Sequence, residues 1–358
     1  MTTVDAPHST RSVLLTVAEV VDETADARSI VFDAPQNFHY LPGQFLTLRI
    51  PSERTGSVAR CYSLASSPHG SEPPKVTVKR TYDGYGSNWV CDNIQPGDVV
   101  EALPPSGRFT PKDLDDDFYL LAAGSGITPV MSILKSALSE GVGKIALFYA
   151  NRDENSVIFG RELRTLAAEY PHRLAVQHWL ESLQGLPTVD QLSTLASPYR
   201  ERHAFMCGPS MFMDAAHKGL ASSGFPRNRV RREIFVSLVG DPFVDVTEAE
   251  VSETEVTEAG VTESPVHEDD ATAVVELDGE THTLTWPRSK TLVDIMLAGG
   301  LDVPYSCREG ECGTCACTMT EGEVKMENTE ILDDEDIADG MILGCQARPV
   351  SDHIEVRF

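Results

Sequence analysis

Short runs in which apolar and polar residues alternate dominate the first third of the chain. Turn-forming pairs such as Pro42-Gly43 and Asp83-Gly84 separate several of these runs. Short strands at regular spacing with few helices are typical of a small closed β-barrel. The predicted strands are Val13–Val17, Ser29–Phe32, Gln44–Ile50, Arg60–Ala65, Lys75–Arg80 and Val99–Leu103.

From about residue 117 the pattern changes to apolar strands that alternate with amphipathic helices. This alternation predicts a parallel sheet with crossover helices, in which ligands bind at the carboxyl ends of the strands. The predicted strands are Phe118–Ala122, Lys144–Tyr149, Leu174–Trp179, Ala204–Met206 and Arg231–Val236, and the predicted helices are Met131–Ser139, Phe159–Glu169 and Met211–Ala221.

The stretch from Asp241 to Asp270 is acidic and poor in aromatic residues, which is typical of a solvated tether. A chain of 358 residues exceeds one ordinary core, so several domains are expected. We predict a barrel over residues 12–112, an α/β domain over 113–238, a linker over 239–270 and a third domain over 271–358. A flexible linker of this length would span roughly 30 Å and would let one domain swing on another.

The net charge of −26 is unevenly distributed along the chain. Residues 1–238 carry −3, residues 239–270 carry −11 and residues 271–358 carry −12. So acidic a surface repels nucleic acid and anionic membranes, and we expect neither as a partner. Simple solubility and an electrostatic docking face for a protein partner explain the acidity equally well.

Four cysteines near the C-terminus carry the most specific signal. Cys307, Cys312 and Cys315 follow the spacing C-x4-C-x2-C, and Cys345 comes later in the chain. This is the spacing with which a plant-type ferredoxin loop holds a [2Fe-2S] cluster. Structural zinc usually shows two closely spaced pairs, and a chain this long needs no disulfide staple. We therefore predict these four thiolates as cluster ligands and Cys317 as a packed thiol.

The barrel region contains two candidate cofactor motifs. Arg60, Tyr62 and Ser63 on one predicted strand offer a cation, an aromatic face and a hydroxyl, which suit a flavin and its phosphates. A tyrosine on a strand can equally serve packing. The second motif is a glycine turn, Gly84-Tyr85-Gly86-Ser87, which opens a short helix. Amides at a helix start bind phosphate, although Ser87 can equally act as a helix cap.

The α/β region contains two further motifs at predicted strand ends. The first is a strand–turn–helix sequence with Gly124, Gly126, Thr128 and Pro129 in which the glycines let the backbone approach a pyrophosphate. The second is Cys207-Gly208-Pro209, whose small side chain can lie against a nicotinamide. The alternative for Cys207-Gly208-Pro209 is an ordinary helix start with proline near its first position.

Taken together, these motifs resemble the ferredoxin–NADP reductase superfamily. The order flavin, nicotinamide, ferredoxin is similar to the oxygenase reductases. The sequences Arg54–Ser63 and Val274–Gly279 resemble, more closely, the reductase components of actinobacterial 3-ketosteroid 9α-hydroxylases. The resemblance covers nearly the whole chain except the acidic linker. It implies a multidomain fold: a Greek-key β-barrel flavin domain, an α/β parallel-sheet nucleotide domain and an α+β β-grasp plant-type ferredoxin domain.

The resemblance also implies an activity. NADH would pass a hydride to FAD, and the cluster would carry the electrons to a Rieske-type oxygenase component in steroid degradation. Ser63, Cys207 and Glu233 would be the catalytic residues, and Phe235 would close the flavin site with Glu233. Two alternatives are the reductase of a di-iron oxygenase such as a phenylacetyl-CoA epoxidase, and a plain electron carrier in which the reductase half is only scaffold.

Location and nucleotide preference complete the expectations. The polar, acidic start of the chain does not resemble a secretory signal, and cysteines committed to iron point to a reducing cytoplasm. The adenosine ribose should lie at the strand end Tyr149–Asp153, where Asp153 and Glu154 repel a 2′-phosphate and Arg152 attracts one. We therefore expect NADH to be preferred over NADPH.

Overall fold

The structure is a computed structural model that describes residues 12–235, 238, 240–243, 270–329, 331–332 and 334–358. The described residues divide into two compact units, one within 12–237 and the other starting at Leu238. Most of the predicted acidic linker, residue 239 and residues 244–269, lies outside the described residues. In the segment before that gap, Leu238 and Phe243 are buried.

The first part of the larger unit is an antiparallel β-barrel. Its six strands have the order β4-β3-β6-β1-β2-β5. The bridge between Leu64 and Val76 joins the two ends of this order, so the sheet closes on itself. Inward-facing residues such as Leu15, Phe32 and Leu48 form the core. The elements are β1 (Val13–Thr24), β2 (Ala27–Asp33), β3 (Phe45–Ser52), β4 (Gly56–Ser63), β5 (Lys75–Lys79), α1 (Tyr85–Asn93) and β6 (Val99–Ala102).

The second part of the larger unit is a five-stranded parallel sheet of order β11-β10-β7-β8-β9. Apolar residues lie on both faces because helices cover both faces. The elements are β7 (Phe118–Ala123), α2 (Ile127–Glu140), β8 (Ile145–Asn151), α3 (Gly160–Glu169), β9 (Leu174–Leu180), α4 (Glu181–Gln184), α5 (Val189–Ala196), β10 (His203–Cys207), α6 (Ser210–Ser222) and β11 (Val230–Glu233).

The smaller unit contains a mixed sheet of order β13-β12-β18-β14-β16, in which only β12 and β18 run parallel. Helix α7 starts with a capping box between Thr291 and Asp294, and its apolar face packs on the sheet. The elements are β12 (Ala271–Leu277), β13 (Glu280–Trp286), α7 (Leu292–Ala298), β14 (Ala316–Glu321), β15 (Val324–Lys325), α8 (Asp334–Ala338), β16 (Met341–Leu343), β17 (Arg348–Pro349) and β18 (His353–Arg357).

The predicted fold class is confirmed: the chain combines a closed antiparallel barrel, a parallel α/β sheet and a mixed sheet with a helix. Every strand and helix predicted over residues 13–237 has a counterpart. The strand predicted as Arg231–Val236 ends earlier than predicted, at Glu233, opposite Cys207, the last residue of its partner β10. Val236 lies outside the described residues. Helix α5 was not predicted, although Thr188 and Gln191 form a capping box at its start.

In the described part of the chain, no helix combines the length and the apolar character that crossing a bilayer requires.

Candidate functional site

Strand β4 carries the three residues predicted to bind a flavin. Arg60 and Tyr62 point to one face of the strand and Ser63 to the other, because side chains alternate along a strand. The hydroxyl of Tyr62 is buried without a hydrogen-bond partner among the described residues, and burial raises its pKa above the ordinary value. A buried, unpaired hydroxyl beside a cationic side chain fits a site that a polar cofactor completes.

The glycine turn lies directly against Arg60. A Cβ at Gly86 would come within 2.7 Å of Arg60 Cγ, so only glycine lets the arginine cross the start of α1. Gly84 is the N-cap of α1, and no side chain caps the helix. Ser87 does not act as the cap: its hydroxyl accepts a hydrogen bond from the Thr81 amide at 3.0 Å. The structure thus places the Arg60 side chain beside the uncapped start of α1, an arrangement that can bind a phosphate.

The turn between β7 and α2 has the geometry of a close backbone approach. Gly124 has a φ of +53°, and its carbonyl accepts a hydrogen bond from the Tyr149 hydroxyl at 3.1 Å. Thr128 donates to the carbonyl of Ser125 at 3.1 Å, and Pro129 is buried in the first turn of α2. The Thr128 hydrogen bond therefore fixes the turn. Because Gly124 and Gly126 have no side chains, only backbone atoms line the turn at these two positions.

The second predicted nucleotide motif meets this turn. A Cβ at Gly126 would lie 2.1 Å from the carbonyl oxygen of Cys207, and a Cβ at Gly208 would lie 2.9 Å from Ala123 Cβ. The two loops therefore pack backbone against backbone at the carboxyl ends of neighbouring strands β7 and β10. Pro209 is the N-cap residue of α6.

The thiol of Cys207 is fully buried, and burial, with a smaller effect of Glu233, raises its pKa. Glu233 lies opposite Cys207 in the register of β10 and β11. Burial raises the pKa of the Glu233 carboxyl to about 8 although the residue keeps some solvent exposure. Phe235 follows the strand, and its side chain is 47% exposed.

Two charged residues near this site were not predicted. The Nζ of Lys79 on β5 lies 3.9 Å from the position of a Cβ at Gly124. Asp26, in the turn between β1 and β2, lies 3.7 Å from Lys79 Nζ and 3.5 Å from Arg152 Nη2. These contacts join positions far apart in sequence, so the spacing of residues gave no signal for them.

The four predicted cluster ligands lie together in the smaller unit. All are free thiols, and Cys307, Cys315 and Cys345 are buried. The side chain of Cys307 interacts with those of Cys312 and Cys345, and Cys345 also interacts with Cys315. Cys317 is buried on β14 as part of the hydrophobic core.

Backbone and side-chain donors surround these sulfurs. The amides of Glu309 and Glu311 each donate to Cys307 Sγ at 3.4 Å, and the Cys345 amide donates to Cys315 Sγ at 3.4 Å. The Gln346 amide group lies 3.6 Å from Cys345 Sγ. Donors of this kind stabilise thiolates and cluster sulfides, so the residues present fit a [2Fe-2S] cluster.

Loop conformation explains how the amides reach the sulfurs. Arg308, Gly310 and Gly313 all have positive φ, which turns the backbone inward. A Cβ at Gly310 would meet Gln346 Cγ at 2.9 Å. The neighbouring thiols Cys312 and Cys345 lower the pKa of Cys307, and the amides of Glu309 and Glu311 lower it further. The loop therefore favours the thiolate form of Cys307.

Three family models match the chain in the same order as the structural parts. They describe an oxidoreductase FAD-binding domain over residues 14–110, an oxidoreductase NAD-binding domain over 120–218 and a 2Fe-2S iron-sulfur cluster binding domain over 275–350. The predictions of FAD, of a nicotinamide dinucleotide and of a [2Fe-2S] cluster are confirmed by these matches.

Similar proteins share the whole of this arrangement. The 3-ketosteroid-9-alpha-monooxygenase ferredoxin reductase component of Rhodococcus rhodochrous is 64% identical over 362 residues, which cover 100% of both chains. A 1,2-phenylacetyl-CoA epoxidase subunit of Escherichia coli strain K12 is 32% identical, with 96% of this chain and 97% of that protein covered. The solved structure of phthalate dioxygenase reductase has a TM-score of 0.56 at 22% identity and covers 97% of this chain and 98% of its own. This last likeness shows the fold.

Proposed function

Since the chain belongs to the family of 3-ketosteroid-9-alpha-monooxygenase ferredoxin reductase components, we propose that it passes electrons from NADH to the oxygenase component of such a system. The observation that carries this proposal is the 64% identity to the Rhodococcus rhodochrous protein over the full length of both chains. This identity extends over all three cofactor-binding parts. The separate motifs alone could not assign the chain to one particular monooxygenase.

Within the proposal, the barrel binds FAD. Arg60 and the uncapped start of α1 at Gly84, Gly86 and Ser87 would hold its phosphates. Tyr62 would pack on the ring system, and Ser63 would hydrogen-bond to it. FAD, when bound, accepts a hydride as an electron pair and releases the electrons singly, which suits a one-electron cluster.

The carboxyl edge of the parallel sheet would bind NADH. Gly124 and Gly126 would let the backbone approach the pyrophosphate, with Thr128 and Pro129 fixing the turn. Lys79 beside Gly124 would add a positive charge. Cys207, Gly208 and Pro209 would form the wall of the nicotinamide site, because a buried thiol and a glycine leave room for a flat ring.

Glu233 and Phe235 would complete the site beyond Cys207. A carboxyl whose pKa is about 8 is largely protonated at neutral pH, so Glu233 can donate a hydrogen bond without placing a negative charge beside the flavin. Phe235 is exposed among the described residues, which leaves its ring available to cover an aromatic cofactor.

The smaller unit would hold the [2Fe-2S] cluster through Cys307, Cys312, Cys315 and Cys345. The partner would be a Rieske-type oxygenase component acting on a 3-ketosteroid, with the acidic cluster domain meeting a basic surface. We place the protein in the cytoplasm, which is supported by eight free cysteines.

A second candidate is the reductase of a phenylacetyl-CoA epoxidase, which the 32% identity to the Escherichia coli protein favours. The two candidates share their cofactors, so only the acceptor separates them. A plain electron carrier would need neither a flavin site nor a dinucleotide turn.

The test is reconstitution with each purified oxygenase component. The visible spectrum of the anaerobic protein should bleach on addition of NADH, and the reduced protein should support 9α-hydroxylation of a 3-ketosteroid, measured by mass spectrometry of the product. A purified protein without flavin would support the carrier alternative. Rapid bleaching without hydroxylation, combined with turnover by the epoxidase component, would assign the protein to the second candidate.

A further inference from the structure

Helix α2, whose start forms the dinucleotide turn, carries three buried polar residues on one face beyond Thr128 in its first turn. Ser132, Lys135 and Ser136 follow the spacing i, i+3, i+4. Both serines have no exposed surface and Lys135 is only 9% exposed. Burying polar groups costs free energy unless each finds a partner, so the partners identify what this face does.

The two serines bind the chain segment that continues from the flavin strand. The Ser132 hydroxyl donates to the carbonyl of Ser66 at 2.6 Å. The hydroxyls of Ser136 and Ser67 are 2.9 Å apart, and Ser136 donates to the Ser132 carbonyl. Because Ser136 uses its proton there, Ser67 is the donor in the bond between the two hydroxyls. The segment Ser66-Ser67, three residues beyond Ser63, is thereby fastened to α2.

Lys135 extends this contact into a cluster of four charges. Its ammonium lies 2.6 Å from Glu72 Oε1 and 3.0 Å from Glu162 Oε1. Lys75 Nζ completes the ring, 3.4 Å from Glu162 Oε2 and 3.5 Å from Glu72 Oε1. Glu72 also accepts a hydrogen bond from the Ser67 amide at 3.1 Å. The barrel supplies Glu72 and Lys75, and the parallel-sheet part supplies Lys135 and Glu162.

The electrostatics favour one arrangement of this cluster. Although burial raises it, the charges of Lys135 and Lys75 hold the pKa of the Glu162 carboxyl below its usual value, so Glu162 stays ionised at neutral pH. Apolar residues of similar volume often stabilise a protein as well as a buried ion pair does. What such a cluster adds is a specific orientation. Its short contacts can form only when the barrel and the parallel-sheet part lie in one position relative to each other.

We infer that Lys135, together with Ser136, is a positioning residue that sets how the flavin-binding strand lies against the dinucleotide turn. The inference rests on the proposed function, since the two cofactors are what this placement would align. The turn at Gly124–Gly126 leads directly into α2, and the contact with Ser66-Ser67 lies about two turns further along the same helix. A change in this contact therefore moves one cofactor site relative to the other.

The test compares wild-type holoprotein with Lys135→Met. Anaerobic stopped-flow mixing with NADH should show a hydride-transfer rate constant about ten- to a hundredfold lower, because small misplacements of reacting groups have effects of this size. Flavin content and the dissociation constant for NADH should stay within about twofold, since neither set of binding residues is altered. The long-wavelength charge-transfer absorbance of the NADH complex should weaken, and Lys135→Arg should restore it in part.

A second measurement does not depend on activity. Hydrogen–deuterium exchange of residues 64–75 should increase in Lys135→Met, because Glu72, which accepts the hydrogen bond of the Ser67 amide, loses its contact with the Lys135 ammonium. The matched control is Arg49→Met, which removes a pair inside the barrel, Arg49 Nη1 to Glu101 Oε2 at 3.1 Å. That variant should lose thermal stability but keep wild-type exchange at residues 64–75, the wild-type rate constant and the charge-transfer band.

The outcomes separate the inference from the proposed function. Wild-type hydride transfer and charge-transfer absorbance in Lys135→Met would overturn the inference. If Lys135→Met does not fold, Ser136→Ala, which removes only the hydroxyl's hydrogen bonds with Ser67 and with the Ser132 carbonyl, should give the same effects at about threefold. Unchanged kinetics and exchange in that variant would overturn the inference. A wild-type protein that does not oxidise NADH would contradict the proposed function, while the exchange comparison would still decide whether Lys135 fastens the segment.

Discussion

Glu233 lies opposite Cys207 across the parallel pair β10 and β11, so a carboxyl and a fully buried thiol share the carboxyl edge of the sheet. Burial raises the pKa of both groups, that of Glu233 from 4.5 to about 8. An edge that holds two ionisable groups in their neutral forms can accept a planar, uncharged ring beside it at little electrostatic cost. This relationship makes pH the most direct probe of the site.

The first prediction concerns Glu233→Gln. The folded protein keeps a proton on Glu233 that the unfolded chain loses, so the contribution of Glu233 to the free energy of unfolding is most favourable below about pH 4.5 and is lost as pH rises toward about 8. The substitution should remove this fall and raise the melting temperature at pH 8.5 by roughly 5 °C relative to wild type. Calorimetric scans of both proteins from pH 5 to 9 measure the difference. Parallel curves over the whole range would show that Glu233 does not titrate there.

The same carboxyl should shape the kinetics. In the wild type, the rate of NADH-driven flavin reduction should change through a pKa near 8, and in Glu233→Gln that inflection should be absent. The control is Glu201→Gln, on an exposed side chain that pairs with Arg200. An unchanged inflection in Glu233→Gln would assign the titration to another group.

The second prediction concerns the cluster. Replacing Cys307, Cys312, Cys315 or Cys345 with serine should remove or destabilise the cluster, because the four side chains lie together and backbone amides donate to the sulfurs of Cys307 and Cys315. Cys317→Ser is the matched control, since Cys317 is also buried but belongs to the packed core. Iron and acid-labile sulfide per chain are the measurement. Full iron content in Cys345→Ala would contradict the ligand assignment.

Local motifs were readable in the sequence because each one is a continuous strand–turn–helix or loop segment. The contacts between different motifs could not be read from the sequence. Topology predicts that Gly126 and Cys207 share one edge, because both follow parallel strands, but the 2.1 Å approach depends on β7 and β10 being neighbours. The position of Arg60 over Gly86 likewise requires barrel closure, which no spacing of residues encodes.

Lys135 shows the limit of pattern reading most clearly. In the sequence it is the one basic residue of α2 and resembles a solvent-facing position. In the structure it is buried, because Glu72 and Glu162 approach it from two other elements. Asp26, Lys79 and Arg152 form a similar long-range set. Charged residues acquire such partners only through tertiary structure, so hydrophobic periodicity cannot reveal them.

The third prediction concerns the division between the two units. A fragment of residues 1–239 should keep FAD and reduce a small dye with NADH, but should fail to support the oxygenase, because the described part of 12–237 forms one compact unit. Flavin absorbance after gel filtration and dye-reduction rates within about twofold of the full chain would agree with this expectation. Loss of FAD from a folded fragment would show that residues beyond 239 help to bind it.

The fourth prediction concerns the nucleotide. Arg152 lies in the segment where the ribose is expected. Asp26 on the barrel lies 3.5 Å from the Arg152 guanidinium, and Asp153 and Glu154 follow Arg152 in the chain. These three carboxylates oppose a 2′-phosphate, so kcat/KM should be at least about tenfold higher for NADH than for NADPH. Asp26→Asn should narrow this ratio about two- to fivefold by freeing the Arg152 guanidinium, since an exposed ion pair contributes less than about 1 kcal/mol. Asp22→Asn, which removes the exposed pair with Arg28, is the control and should leave the ratio unchanged. Steady-state dye reduction with both nucleotides measures each ratio. A higher kcat/KM for NADPH in the wild type would reverse the assignment and identify Arg152 as the phosphate-binding residue.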